Sequence, residues 1–330
     1  NSERENYIFN SSINGIEDSD LIFLIGANPR YEATILNARI RKAYVNNKTK
    51  VISLNDIGDL TYPYENLDGQ TQSIKNIFEG SNEISKDIIS ANKPMIVIGE
   101  SLLKLNSAKY LFNLIKDFLK KNNKFTENWN PLNILSCDAA TVGNFDLGIL
   151  NNGINVLEEL KSNKFEIVYL VGQDNLEFNK KNEFVIYQGS HGDKGAEIAD
   201  IILPGSAYTE QDGYFTNLEG KIQKAYKASY PTGEAKEDWQ IFNELAEVMN
   251  NRKLFNDKDE LESSMFNYIK LQQETKNLNH KEISSPNFQN EKLNIQLKDY
   301  YFSNVIARSS KTMIECNNSK LNIRSTGTEG

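Results

Sequence analysis

The stretch from Ala199 to Gln223, ADIILPGSAYTEQDGYFTNLEGKIQ, constrains the fold more than any other part of the chain. Ile201, Ile202 and Leu203 form a short apolar run that stops at Pro204-Gly205. A buried strand ends this way where it meets a turn it cannot continue through. Ser206, Tyr208, Thr209, Glu210, Gln211 and Asp212 then crowd into a polar loop that Gly213 breaks. Tyr214–Asn217 and Lys221–Gln223 flank Leu218-Glu219-Gly220, which reads as a hairpin with Gly220 in the positive-φ position. Strand end, polar loop and hairpin in succession suit the wall of a ligand pocket at the carboxyl edge of a parallel sheet. They equally suit an ordinary surface, and the residues alone leave both open.

A chain of 330 residues is too long for one small core and implies two packed units. The net charge of −8, with Lys and Arg interspersed among acids, argues against a nucleic-acid partner. No apolar run approaches the roughly 18 residues of a membrane span. The chain starts at Asn1 and carries no signal peptide, so a processed protein, a fragment or one piece of a larger protein is expected. Two cysteines, Cys137 and Cys316, and two histidines, His191 and His280, are too few for an iron–sulfur cluster or a structural zinc site. The cysteines read as free thiols in a reducing compartment. His191 reads as a hydrogen-bonded structural residue.

Taken in order, Leu21–Ile25 is a continuous apolar run suited to a strand buried on both faces. Gly26-Ala27-Asn28-Pro29-Arg30 follows, then a helix from about Tyr31 to Val45 with Ile35, Leu36, Ile40 and Tyr44 at helical spacing, then a strand at Val51–Leu54. The turn at Gly26 could hold a phosphate, but it lacks the second and third glycines of the dinucleotide fingerprint. Pro29 opening a helix explains it as well. Pro94–Gly99 is another buried strand, followed by a helix over about Leu103–Lys120. Ala139–Gly153 reads as a loop. Glu166–Gly172, Phe184–Gly189 and Ala199–Leu203 read as strands of one parallel sheet whose carboxyl edge carries Gly172, Gly189 and Gly205. The expected architecture is a doubly wound α/β unit over residues 15–230, followed by helices at about 234–251 and Asp259–Thr275, a loop over 276–296, and a last helix or docking segment at Tyr300–Cys316. In the helix after Pro231, Trp239, Phe242, Ala246 and Met249 line one face, expected to be buried, with Ile241 and Leu245 alongside. Glu210, Asp212 and Asp193 are candidate acids for general acid/base work, with loop capping and hairpin support the favoured role. Arg39-Arg41 and Lys120-Lys121 read as solvated faces or contacts to neighbouring subunits.

The Ala199–Gln223 stretch resembles the shared signature of the molybdopterin oxidoreductase superfamily: an Ala-Asp strand ending in Leu-Pro, a Glu, a Gly and an Asn-x-Glu-Gly-x-x-Gln hairpin. Gly26-Ala27-Asn28-Pro29 resembles the Gly-x-Asn-Pro turn which, in active members, contacts the phosphates of the pterin dinucleotide. Tyr187–Asp200 (YQGSHGDKGAEIAD), Asn28–Tyr44, Asp59–Leu67, Glu234–Val248 and Leu297–Cys316 resemble one branch, the large iron–sulfur subunits of proton-pumping NADH:quinone oxidoreductase, respiratory complex I. The resemblance covers nearly the whole chain.

It implies an α/β fold of parallel-sheet Rossmann-like layers, as in formate dehydrogenase and DMSO reductase, with a helical C-terminal tail. It divides the chain into a degenerate molybdopterin oxidoreductase-like domain over 1–230 and C-terminal helices with an extended tail over 231–330. It implies an enzyme only as part of a complex, with this segment a non-catalytic scaffold supporting electron transfer from NADH and flavin to quinone. No catalytic or metal-ligating residue and no cofactor is expected here, the iron–sulfur clusters lying in the N-terminal part of the subunit. Gly26, Asn28, Pro29, Gly189, His191, Asp193, Glu210 and Asn217 are the candidates for a vestigial pterin pocket. The implied partners are other peripheral-arm subunits and the N-terminal iron–sulfur part, at the matrix side of the mitochondrial inner membrane or the cytoplasmic side of a bacterial plasma membrane, with no membrane span and no nucleic acid. The competing reading is a fragment of an active molybdopterin enzyme such as formate dehydrogenase. A stand-alone nucleotide-binding protein is disfavoured by the missing glycines.

Overall fold

A computed structural model describes residues 3–149, 156–176, 178–276, 287–297 and 299–325. His280 and the rest of residues 277–286 of the expected 276–296 loop lie outside them. The chain divides into two compact units: Asn1–Ile149 with Phe215–Gln223 and Asn267–Leu297, and Leu150–Tyr214 with Lys224–Phe266 and Lys298–Gly330.

The first unit is built on five parallel strands: β1 (Leu21–Ile25), β2 (Lys50–Ser53), β3 (Glu65–Asn66), β4 (Pro94–Gly99) and β5 (Leu132–Leu135). Their order is β3-β2-β1-β4-β5, with direct registers Ile22↔Val51 and Ile22↔Met95. The period of two in a strand explains why β1 and β4 are apolar throughout. Leu21, Phe23 and Ile25 enter one core with Ile74, Ile77, Phe78, Ile115 and Phe118. Ile22 and Leu24 enter another with Leu36 and Ile40. Helices Thr71–Phe78 and Ala108–Lys121 thus serve one face and Thr34–Asn47 the other. Phe78 packs edge-on against Phe118, ring centroids 5.4 Å apart.

Details differ from the sequence pattern. The helix expected from Tyr31 is two pieces, Pro29–Glu32 and Thr34–Asn47, broken where Ala33 leaves helical geometry (φ −153°, ψ 72°). Within the second piece the buried face is Leu36, Asn37, Ile40 and Ala43, and Ile35 is 74% exposed. A short helix, Thr141–Asp146, stands in the expected Ala139–Gly153 loop. Its Asp146 is fully buried because Arg4 meets both carboxylate oxygens at 2.9 Å and the Tyr7 hydroxyl donates to one at 2.8 Å. Residues 287–297 run extended along this unit: Leu293 is buried, and Glu291 accepts from the Ser107 and Asn106 amides.

The second unit holds three parallel strands, β6 (Ile167–Val171), β7 (Phe184–Gly189) and β8 (Ile201–Pro204), in that spatial order. The parallel strands of residues 15–230 therefore fall in two sheets rather than one continuous sheet. Central β7 sends Val185 and Tyr187 into a core with Leu160, Leu170 and Phe178. β8 ends at Pro204 as expected, but it is an edge strand and not a buried one, with Ile201 and Ile202 about half exposed. Helix Asp238–Asn250 buries Ile241, Asn243 and Ala246, while Met249, expected on the buried face, is exposed. Strands β9 (Gly213–Thr216) and β10 (Ile222–Ala225) form the hairpin read from the sequence. Gly220 takes φ +81°, and its carbonyl accepts from Arg4 at 2.5 Å, which ties the hairpin tip into the first unit's own network.

Candidate functional site

In an open parallel sheet, ligands bind beyond the carboxyl ends of the strands, at the point where strand order reverses. In the first unit that point lies between β1 and β4. Gly26 ends β1 in the left-handed region, φ +70°, where a side chain would also strike the Leu102 amide nitrogen at 2.7 Å. A Cβ on Gly99, at the end of β4, would lie 2.0 Å from the Gly26 carbonyl oxygen. The two strand ends are in backbone contact and the crevice between them is closed.

Asn28 and Pro29 follow directly. Pro29 opens the short helix Pro29–Glu32, its missing N–H costing nothing at that position. Asn28 is 4% exposed, and its side-chain amide donates to the Ile57 carbonyl at 2.9 Å. Its backbone N–H donates to the Glu32 carboxylate. The other Glu32 oxygen stands 3.3 Å from the Cys137 thiol, and the Cys137 amide donates to Glu100 at 2.8 Å. Burial pushes the Glu32 carboxyl up, and nearby Glu100 pushes the same way; the Asn28 amide and the Cys137 thiol oppose them. An acceptor with negative charge already occupies the donor that this turn would offer a phosphate.

Asn217 also belongs to the first unit and closes the β9–β10 turn: its side-chain oxygen accepts from the Lys221 amide at 2.8 Å and its own N–H donates to the Lys221 carbonyl. No hydrogen bond of the described residues links it to the Gly26 turn.

Gly189, His191, Asp193 and Glu210 lie in the second unit, after β7 and β8. Gly189 is glycine for a packing reason, since a Cβ there would meet the Tyr187 hydroxyl at 2.3 Å. That hydroxyl donates to the His191 carbonyl at 2.8 Å, and the His191 ring lies 2.9 Å from Ser190 Oγ. Asp193 caps the short helix Lys194–Glu197 and accepts from Arg308 Nε at 2.6 Å. The Arg308 hydrogen bond is the main reason its carboxyl lies below the ordinary value. Glu210 accepts from the Ala207 amide. Asp212, held low chiefly by the Lys227 amide, also stands 3.6 Å from the Lys258 amine. All three acids are engaged in loop and hairpin support.

A groove of about 610 Å³ lies elsewhere in this unit, walled by Leu203, Pro204, Ile241, Leu245 and Val248. Lys236 and Glu244 at its rim neutralise each other at 2.6 Å. Among the described residues no group of three or more His, Cys, Asp or Glu side chains could hold a metal ion, and no helix is long and apolar enough to cross a membrane.

Glu32, Arg308 and Asp174 were not singled out by sequence reasoning, and Cys137 was read only as a free thiol. Glu32 carries a weak local signal, an acid four residues after Asn28 at a helix start. The others meet their partners only through the fold.

Comparison with known proteins places these sites in context. The sequence family described as molybdopterin oxidoreductase matches residues 1–248, and the family described as the C-terminal part of the G subunit of NADH-ubiquinone oxidoreductase matches residues 260–316. The chain is 38% identical over 324 residues to the NADH-ubiquinone oxidoreductase 75 kDa subunit of Reclinomonas americana, covering 95% of this chain and 47% of that protein. It is 35% identical over 331 residues to the mitochondrial NADH-ubiquinone oxidoreductase 78 kDa subunit of Candida albicans, covering 95% and 45%. It is 34% identical over 331 residues to an NADH-quinone oxidoreductase subunit of Rickettsia bellii, covering 99% and 48%. The chain thus spans about half the length of the curated relatives it matches.

Proposed function

Since this chain belongs to the molybdopterin oxidoreductase family, we propose that it is a non-catalytic scaffold within the large iron–sulfur subunit of a proton-pumping NADH:ubiquinone oxidoreductase. It supports electron transfer from NADH and flavin to quinone without a redox site of its own. The assignment to the respiratory branch rests on the match of residues 260–316 to a C-terminal family of NADH-ubiquinone oxidoreductase, which a formate dehydrogenase fragment does not explain. The two family matches meet between residues 248 and 260, past the division near residue 230 into an α/β domain and C-terminal helices that the sequence suggested.

The observation that carries the non-catalytic reading is Glu32. A pterin dinucleotide does not fit the Gly26-Asn28-Pro29 turn: its phosphate would face a carboxylate that already takes the Asn28 N–H, beside a crevice that Gly26 and Gly99 close by backbone contact. Like charges brought together in a partly buried site repel. Gly26, Asn28, Pro29, Gly189, His191, Asp193, Glu210 and Asn217 are then remnants of the ancestral pocket, now serving turns and caps. The partners are other peripheral-arm subunits and the cluster-bearing part of the same subunit, at the matrix face of the mitochondrial inner membrane or the cytoplasmic face of a bacterial one.

The test is to isolate the native assembly through a tag on this chain in mild detergent and stain it in a native gel for NADH oxidation. A large band that reduces quinone from NADH and contains the chain is expected. The chain migrating in a small species with no NADH oxidation would overturn the assignment.

A further inference from the structure

Helix Val305–Ser309 has five residues, buries none of them, and is too short to persist by itself. Asn304 caps it by accepting from the Ala307 amide at 2.9 Å, which stabilises the turn but does not attach it to anything. The attachment is Arg308. Its Nε donates to Asp193 at 2.6 Å and its Nη1 to the Phe302 carbonyl at 3.3 Å. Its Nη2 stands 2.7 Å from Asp174, an ion pair outside hydrogen-bonding angles. Only 20% of the Arg308 side chain is exposed.

Asp174 follows β6 and Asp193 lies in the loop after β7, so the guanidinium bridges the ends of two adjacent parallel strands. This is where an open α/β sheet receives a ligand. The same loops are locked together by the Gly195 amide donating to the Asp174 carbonyl at 2.9 Å. Two carboxylates held side by side repel unless a cation lies between them. A planar guanidinium, with donors diverging in a fixed fork, suits that task better than a single ammonium.

We propose that the C-terminal arm is a strap, and that Arg308 serves as a tethered ligand for the carboxyl edge of the second sheet, holding its two loops together and closing that edge. The strap is made by residues of this chain alone, independently of the respiratory assignment.

The test is hydrogen exchange by mass spectrometry on the full chain, comparing wild type with Arg308→Ala, Arg308→Lys and the pair Asp174→Asn with Asp193→Asn. In Arg308→Ala, amides of residues 299–309 and 189–195 should exchange about tenfold faster, the combined effect of losing two partly solvated ion pairs. Strands β1 and β7 should keep wild-type protection. Millimolar guanidinium should restore the 189–195 loop but not the arm, because the added cation is not tethered. Lysine at 308 should restore only part of either. The double Asn variant should loosen the arm equally, with no further loss when combined with Arg308→Ala. Unchanged exchange in Arg308→Ala would overturn the proposal. So would loss of protection throughout β7, which would make Arg308 part of the core, or full recovery with lysine.

Discussion

At the end of β4 a methyl group on Gly99 would lie 2.0 Å from the Gly26 carbonyl oxygen, whereas at the end of β6 one on Gly172 would meet nothing within 4 Å. The first unit closes its switch point by backbone contact and adds a half-buried carboxylate at the turn beside it. The second joins its strand ends by backbone hydrogen bonds, Gly172 to Gln188 and Gly205 to Gly189, and adds across the loops beyond them a side chain from the C-terminal arm. One edge carries surplus negative charge at Glu32; the other carries a cation between two acids. The contrast teaches that a sheet edge built for a ligand can be closed in two ways. Packing is permanent and local, whereas a charged strap depends on a distant segment and on the charge states of its anchors.

Glycine substitutions break the comparison most sharply. Gly99→Ala should cost about 3 kcal/mol or more, since neither backbone segment can move aside. Gly172→Ala should cost about 1 kcal/mol, the penalty of a side chain at φ +60° with open space around it. Urea unfolding separates them through the two tryptophans, because Trp129 is buried in the first unit and Trp239 lies in the second. A Trp239→Phe background reports the first unit alone. Equal costs for the two substitutions would show that the two edges are closed alike.

Acid titration gives a smaller effect of opposite sign at the two edges. The folded-state pKa of Glu32 is raised above the ordinary carboxylate value of 4.5, so the fold holds this proton more tightly than the unfolded chain does. Its contribution is fully present below pH 4.5 and is lost as pH rises through the higher folded value. Glu32→Gln keeps an acceptor for the Asn28 amide without the charge. It should therefore flatten the fall in first-unit stability between pH 4.5 and neutrality. A wild-type and a variant curve that run parallel would refute a raised Glu32.

Asp193 behaves the other way and gives the smallest change. Its pKa is lowered below 3.8 by Arg308, so its contribution is present above 3.8 and is lost as pH falls through the lower folded value. Asp193 is partly solvated, and its pair is screened; Asp193→Asn should cost below about 1 kcal/mol at neutral pH. The variant's arm should have lost the acid-induced loosening that wild type shows below pH 3.8 in exchange measurements. Loosening that persists unchanged in the variant would assign the acid response to another group.

Much of the first unit was legible from the sequence, because strands buried on both faces are written as unbroken apolar runs such as Leu21–Ile25 and Met95–Ile98. The hairpin was legible from Gly220 for the same local reason: one backbone angle demands that residue. What could not be read is non-local. Ile201–Leu203 has the composition of a buried strand, and only the count of strands in its sheet makes it an edge. Ile35 and Leu36 are consecutive in one helix and point in different directions, and only the packing makes Leu36 rather than Ile35 face the core. Arg308 meets Asp193 across 115 residues, and Cys137 meets Glu32 across 105. No spacing rule in a single chain connects such residues. Of the eight candidate pocket residues, local reasoning found the turns and loops. It did not find the two charged groups, Glu32 and Arg308, that fill them.

The most direct measurement is the molybdenum, tungsten and pterin content of the native assembly, quantified per copy of this chain beside its iron. A scaffold with both edges closed by its own residues predicts an iron-rich assembly with only background molybdenum and tungsten and no pterin. One molybdenum or tungsten with its pterin per chain would contradict it, and would require Glu32 to leave the Gly26 turn.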